Sequence, residues 1–461
     1  MNENVGQLNH PRRILAALGD GMARHRGTIQ AIQWVVVLFY LSLLIYPAFL
    51  PLPKDYVHLY DNLILFAQFI FWGIWWPFVM ISMMLIGRVW CGVFCPEGAL
   101  SELASRHGLG KKIPHWMRWS GWPFVAFALT TLYGQLVSVY EYPKAALLVL
   151  GGSTVAAIII GFIYGRGKRV WCRHLCPANG VFAILSRLAP IHLQVDRDRW
   201  RAAPHRTPAI DCAPLINIPQ MTGNSECHMC GRCSGHREAV TLTARSPNAE
   251  LLNLPEHHVS RWEVMTLVFG IFGIALGAFQ WTASPWFIAM KEQAATWLIN
   301  HNAFALLDNN APWWLLTHYP EVNDAFSWLD GLCILAYIGA TTLLVGGTML
   351  ALLWLAQRLL NVRGSMWRLA YGLTPMAGVS VFLGLSGLTV SMLKAEHLDL
   401  VWVPDVRIAL LTLGVSWSTW LVWRMIAAMA TPIWKRLAAT LVVMMGVSPV
   451  VLSWVFMYFI W

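Results

Sequence analysis

Three cysteines, each separated from the next by two residues, stand in Cys227-His228-Met229-Cys230-Gly231-Arg232-Cys233, inside the longest polar stretch of an otherwise apolar chain. Three thiolates at that spacing can grip three corners of an iron–sulfur cube from one short loop. The run is incomplete. Where a bacterial ferredoxin motif puts its next cysteine and a proline, this chain has Arg237 and Glu238. A fourth ligand must come from elsewhere.

A second set of thiols comes in a repeat. Arg88-Val89-Trp90-Cys91-Gly92-Val93-Phe94-Cys95-Pro96 recurs 81 residues later as Arg169-Val170-Trp171-Cys172-Arg173-His174-Leu175-Cys176-Pro177. Residues four apart share one helix face, so both sulfurs of a pair can aim at one centre. Two such boxes facing each other supply Cys91, Cys95, Cys172 and Cys176, a full set for one [4Fe–4S] cluster. Proline after the second cysteine disfavours a preceding helical turn. Trp90 and Trp171 are placed to anchor the boundary or to screen the centre from water. Cys212, fifteen residues before Cys227, is then the natural fourth partner of Cys227, Cys230 and Cys233. Ala213-Pro214 and Ile218-Pro219 between them break regular structure and let the loop fold back.

Other divisions satisfy the same count. Cys95 or Cys176 could complete the trio's cube, or His228 or His236 could serve as a non-cysteine ligand. Structural zinc also takes four thiolates, although it usually draws on two separated pairs, whereas three cysteines two apart favour iron–sulfur. Lys168, Arg173, Arg232 and Arg237 are candidate counter-charges. The ninth cysteine, Cys333, stands alone in an apolar run and reads as a packed hydrophobe.

The elements that must position these thiols are membrane helices. The chain is 57% hydrophobic and 12% charged, with 26 tryptophans, a composition for aromatic belts and spanning segments. Apolar runs predict about nine spans: 31–50, 62–86, 121–140, 145–164, 264–279, 329–355, 369–393, 406–425 and 437–460, the fifth staying apolar toward Met290. Placing the N-terminus in the cytoplasm puts 28 of the 33 Lys and Arg on that side and only five outside. The net charge of +10 is therefore mostly topology and excludes nucleic acid as the natural partner. The same orientation puts all eight clustered thiols on the reducing side, where cysteine spacing means metal more often than disulfide. Residues 1–30 lack the apolar core of a cleavable signal, so the first run reads as a retained anchor.

The expectation is an all-α integral membrane protein of the bacterial inner membrane. Residues 1–30 form a cytoplasmic segment, 31–177 a duplicated transmembrane hairpin, 178–262 a small ferredoxin-like cytoplasmic loop, and 263–461 a C-terminal bundle with a periplasmic loop at 281–328. That loop carries His301, His318, Asp308, Glu321 and Asp324, types fit for a metal or a partner but equally at home in an interfacial loop. The last four helices carry essentially no charge in their central turns, which argues against an ion path. Gly346-Gly347, Gly384 and Gly387 read as packing positions.

The paired boxes and the cysteine cluster behind them resemble the membrane polyferredoxins of the NapH, NosR and CcoG type, and CGVFCPEGALSEL from Cys91 is especially similar to the first box of NosR-like proteins. The resemblance covers about residues 31–245 and implies electron transfer at the cytoplasmic membrane, in several members between quinone and a periplasmic process. The chain departs from the family in having one incomplete ferredoxin motif and no large flavin-binding domain before residue 31. The helices after 264 give it a layout similar to the ferredoxin-like component of bacterial ferrous-iron systems of the FtrABCD kind. No R-E-x-x-E permease signature is present.

Function therefore reads as a membrane electron carrier with two [4Fe–4S] clusters, exchanging electrons with quinone or with membrane or periplasmic redox and metal-transport partners. Both centres lie on one side of a core about 30 Å thick. All fifteen histidines fall in loops or near helix ends, which disfavours an intramembrane haem. A transport subunit energised or regulated by its clusters is the alternative, and a zinc-stabilised scaffold is a third.

Overall fold

The computed structural model describes residues 10–461 apart from 54–56, 204–206, 208 and 209, with His10 and Pro11 described by backbone alone. Among the described residues eight helices are long and apolar enough to cross a membrane: Arg26–Phe49, Leu63–Ile86, Pro143–Tyr164, Arg261–Ala283, Trp328–Leu360, Ser365–Ala395, Val403–Ala427 and Ile433–Ile460. This is a multi-pass membrane protein.

The predicted third span differs. Its helix is Trp122–Leu136, 15 residues, and it ends where Ser138 takes a φ of 47°. At 1.5 Å per residue it is roughly 22 Å long, shorter than the hydrocarbon core. The fifth helix stops at Ala283 because Ser284 turns extended and Pro285 starts a new helix, Pro285–Asn300.

The chain divides into two compact units, of which the first comprises residues up to Leu41, Ile81–Trp122 and Ser153–Leu254. Its soluble part is built on two antiparallel strands, β1 (Ile191–Val195) and β2 (Val240–Ala244), with Leu193 opposite Leu242. The N-terminal helix His10–Arg24, read from sequence only as part of a cytoplasmic segment, packs on β2 and the cysteine loop. A Cβ on its Gly19 would stand 2.8 Å from Leu242 Cβ and 2.7 Å from Ser234 Oγ. Beside it the Ser234 hydroxyl donates to Asp20 at 2.9 Å. The last carbonyls of the Pro143–Tyr164 helix find partners outside the helix. Leu109 N donates to Phe162 O and Lys111 N to Ile163 O, at 2.8 and 3.0 Å.

The second unit holds Ser42–Met80, Pro123–Gly152 and Pro255–Trp461. Trp454, fully buried, donates its indole N–H to Ser380 Oγ at 3.0 Å. Two of the expected packing glycines admit a ring. A Cβ at Gly346 would lie 2.6 Å from Phe269, and one at Gly384 would collide with Phe279. Gly387 has Tyr458 Oη as its neighbour at 3.2 Å, whereas Gly347 faces open space and is no packing position. The loop after Ala283 contains the helix Pro285–Asn300 and a two-residue hairpin pairing His318–Tyr319 with Asp324–Ala325. Two of its polar residues are engaged: Tyr142 Oη donates to Asp324, and His301 stacks on Trp297.

Candidate iron–sulfur centres

Each box turns at its second cysteine. Residues Trp90–Phe94 form a widened π turn, Cys95 goes extended, and Pro96 becomes the first residue of the helix Pro96–Arg106. Proline suits that position because the missing N–H would be unpaired anyway. The Cys95 thiol caps this helix, accepting from Gly98 N at 3.4 Å. In the second copy Cys172 sits on the short helix Val170–His174, and Cys176 lies in the turn before Asn179–Leu185. Cys172 packs with Trp171 and Ala157, with Cys176 beside them. The two tryptophans differ. Trp171 is buried and donates to Glu97 at 3.2 Å, while Trp90 stacks on Phe94.

The cysteine run winds through residues in left-handed conformation, Met229, Gly231 and Gly235 among them. Cys227 and Cys233 are buried with Leu193, Ile218, Val240 and Leu242, and Cys212 packs against that group. Arg237, at the position of the missing ligand, has a structural use. It lies over the Trp200 ring and donates to Thr207 Oγ1 at 2.7 Å. His236 packs near the same ring.

Charge interactions among the thiols sort into two groups. Burial, then the nearness of Cys172 and Cys91, pushes the Cys95 thiol well up; burial and then Glu97, Cys172, Cys95 and Cys91 do the same for Cys176. Cys172 is pushed up to about 12, again mainly by burial. In the loop, burial followed by Cys233, Cys230 and Cys212 raises Cys227, and burial with Cys230 and Cys212 raises Cys233 to about 12. Cys212 is raised by burial, with Cys230 adding to it. Left alone, these six thiols stay protonated near neutral pH. They become thiolates only where positive charge is brought in, which is what iron supplies.

The buried positive charges are not the expected ones. Lys168 pairs with Asp211 at 2.6 Å, Arg173 with Glu226 at 2.7 Å, and Arg232 with Glu102. Inside, instead, stand the opening arginines of the two boxes, Arg88 at 3% exposure and Arg169 at 1%. Arg88 reaches the Cys91 sulfur at 3.9 Å and donates to Ser225 O and Asn179 Oδ1, both at 2.6 Å. Arg169 bonds Glu102 Oε2 at 2.8 Å and the Cys91 carbonyl. Among the described residues Arg88 Nε, Arg169 Nη2 and His228 Nδ1 are buried with no acceptor or donor partner. Buried donors without acceptors fit an anionic group such as a thiolate-bound cluster. The signal was legible as the 81-residue recurrence of Arg88 at Arg169. His228 itself is held neutral, well below the usual histidine range, by burial and then by Arg88 and Arg169.

The first box and the cysteine run touch through backbone. A Cβ on Gly92 would collide with His228 O and lie 2.8 Å from Cys230 N. The equivalent residue of the second copy is Arg173, so only the first box has this close approach. No three His, Cys, Asp or Glu side chains among the described residues converge as ligands of one metal ion would. A multi-iron cluster asks for something else, because each thiolate binds a different iron and the four stand apart around the cube.

A family model described as a 4Fe-4S binding domain matches twice, over residues 68–116 and 147–195, one match per box. Each box therefore resembles a 4Fe-4S binding domain. Similar to this chain is YccM of Escherichia coli, named as a putative electron transport protein, 22% identical over 43% of this chain and 62% of that one. The regulatory protein NosR of Stutzerimonas stutzeri is 27% identical over 34% of this chain and 24% of its own. An uncharacterised protein of Methanocaldococcus jannaschii, MJ0749, is 26% identical over 37% of this chain and 70% of its own. The chain thus spans less than two thirds of the length of YccM and NosR. No solved structure matches at a significant level. The two family matches take in both boxes and end at residue 195.

Proposed function

We propose that this chain is a membrane electron carrier holding two [4Fe–4S] clusters, one on Cys91, Cys95, Cys172 and Cys176, the other on Cys212, Cys227, Cys230 and Cys233. The observation that carries the reading is the packing of thiols in two groups, Cys172 with Cys176 and Cys212 with Cys227 and Cys233, beside buried guanidinium nitrogens that have no protein partner among the described residues. Each cluster, when bound, cycles by one electron. The chain's own residues do the rest. The boxes hold four thiolates in a dry setting, Arg88 offsets charge at the Cys91 sulfur, and the Gly92 contact brings the cysteine run against the first box. Cys230 lines a cavity of about 160 Å³ with Arg26, Gln33, Glu102 and Arg232, an approach to the second centre. The clusters lie on the cytoplasmic side of the bacterial inner membrane. They exchange electrons with quinone or a partner subunit, in support of respiratory chemistry or ferrous-iron uptake across that membrane.

Anaerobically purified protein is expected to hold about eight iron and eight sulfide per chain. Cys172→Ala should remove one electron paramagnetic resonance signal and about half the iron, leaving the signal of the cysteine run. Zinc in place of iron and sulfide would sink the proposal.

A further inference from the structure

We infer that Arg169 and Glu102 form a charged bridge between the two thiol groups, so that one buried ion pair sets the reduction potentials of both centres together; this rests on the two-cluster reading. The bridge is traced bond by bond. The Arg169 guanidinium donates to the carbonyl of Cys91, a residue of the first group, and to Glu102 at 2.8 Å. Its backbone N–H donates to Ala213 O at 2.8 Å, the residue after Cys212 of the second group. Glu102 in turn accepts from Arg232, which stands between Cys230 and Cys233. Arg169 and Glu102 are 1% and 8% exposed at their side chains, so water screens the pair only weakly. One guanidinium nitrogen, Nη2, is buried and has no protein acceptor among the described residues.

The repeat does not duplicate this pair. Residue 183, which corresponds to Glu102 in the second copy, is alanine, and Arg88, which corresponds to Arg169, bonds Ser225 and Asn179 instead. The carboxylate occurs once, on the helix that follows the box in contact with the cysteine run. Reduction adds a negative charge to a centre, so a nearby buried cation favours it and a nearby buried anion opposes it. Arg169 and Glu102 are therefore positioning residues that act on both potentials with opposite sign.

The test is a redox titration followed by electron paramagnetic resonance on the full-length protein, with iron and sulfide measured on each variant. Arg169→Gln should shift both midpoints negative, Glu102→Gln should shift both positive, and Arg169→Lys should stay near the parent values. The same sign of shift in Arg169→Gln and Glu102→Gln, or movement of one midpoint only, overturns the bridge. If Arg169→Gln fails to load iron, Glu102→Gln decides alone: both midpoints positive supports the bridge, and anything else removes it. A parent protein without iron and sulfide defeats the two-cluster reading instead.

Discussion

At the residue scale, two side chains outside the thiol groups govern the soluble part of the first unit. Glu250 is buried and accepts from Arg187 at 3.0 Å, from Arg245, and from the backbone N–H of Asn224 at 2.9 Å, three residues before Cys227. Removing one member of a buried ion group leaves uncompensated charge and costs about 3–5 kcal/mol. Glu250→Ala is accordingly expected to lose that much stability and to shed the cluster of the cysteine run first, as seen in the visible absorbance during a thermal ramp. His192 on β1 is held down to about 4 by burial and then by Arg245. It stays neutral in the folded chain while an unfolded histidine protonates near 6.5. Between those values the unfolded state binds more protons, so stability falls as pH drops from about 6.5 toward 4. His192→Gln should flatten the dependence of melting temperature on pH across that window. An unchanged slope in the variant would show that other groups carry it.

At the element scale, the cysteine run is clamped by pieces distant in sequence. The helix His10–Arg24 lies on β2 and on the loop around Ser234, and Gly19 permits the approach. Leu242 Cβ is not a flexible side-chain end and cannot swing away from an added carbon. Gly19→Val should cost about 1–3 kcal/mol as overpacking. It should also raise protease cleavage around residues 10–24, whereas Gly21→Val, with open space at its Cβ, should not. Sequence read this segment only as cytoplasmic, because the surface that covers it, β2, lies more than two hundred residues further along the chain. The boxes were more legible. Proline after Cys95 was expected to break the preceding turn, and it does so by opening the next helix.

At the scale of the whole molecule, the two boxes bear on how many times the chain crosses. Cys91 and Cys172 lie in one compact unit and within each other's field. The chain leaving the first box must therefore return to the same side before the second, with Trp122–Leu136 as the outgoing leg and Pro143–Tyr164 as the return. Counting that short leg gives nine crossings, so residues near 461 should face the side opposite to residue 10. Reporter fusions check this: alkaline phosphatase after Trp461 should be active and green fluorescent protein there dark. The reverse result means eight crossings and a different path between the boxes.

The cysteine spacing, the 81-residue repeat and eight of the nine spans needed no tertiary information. Ligand spacing and apolar run length are local, and each follows from the reach of one turn or the thickness of one bilayer. The short third leg escaped because apolar character continues past Leu136, where the backbone turns. Charge compensation escaped for a deeper reason. Lys168, Arg173, Arg232 and Arg237 lie beside cysteines in sequence, yet each is engaged by a carboxylate or by an aromatic ring and hydroxyl. Arg88 and Arg169, hidden in the repeat, are the ones the fold buries. Whether a guanidinium faces a thiolate depends on what shields it from water and which carboxylate reaches it first, and only the packed chain decides that.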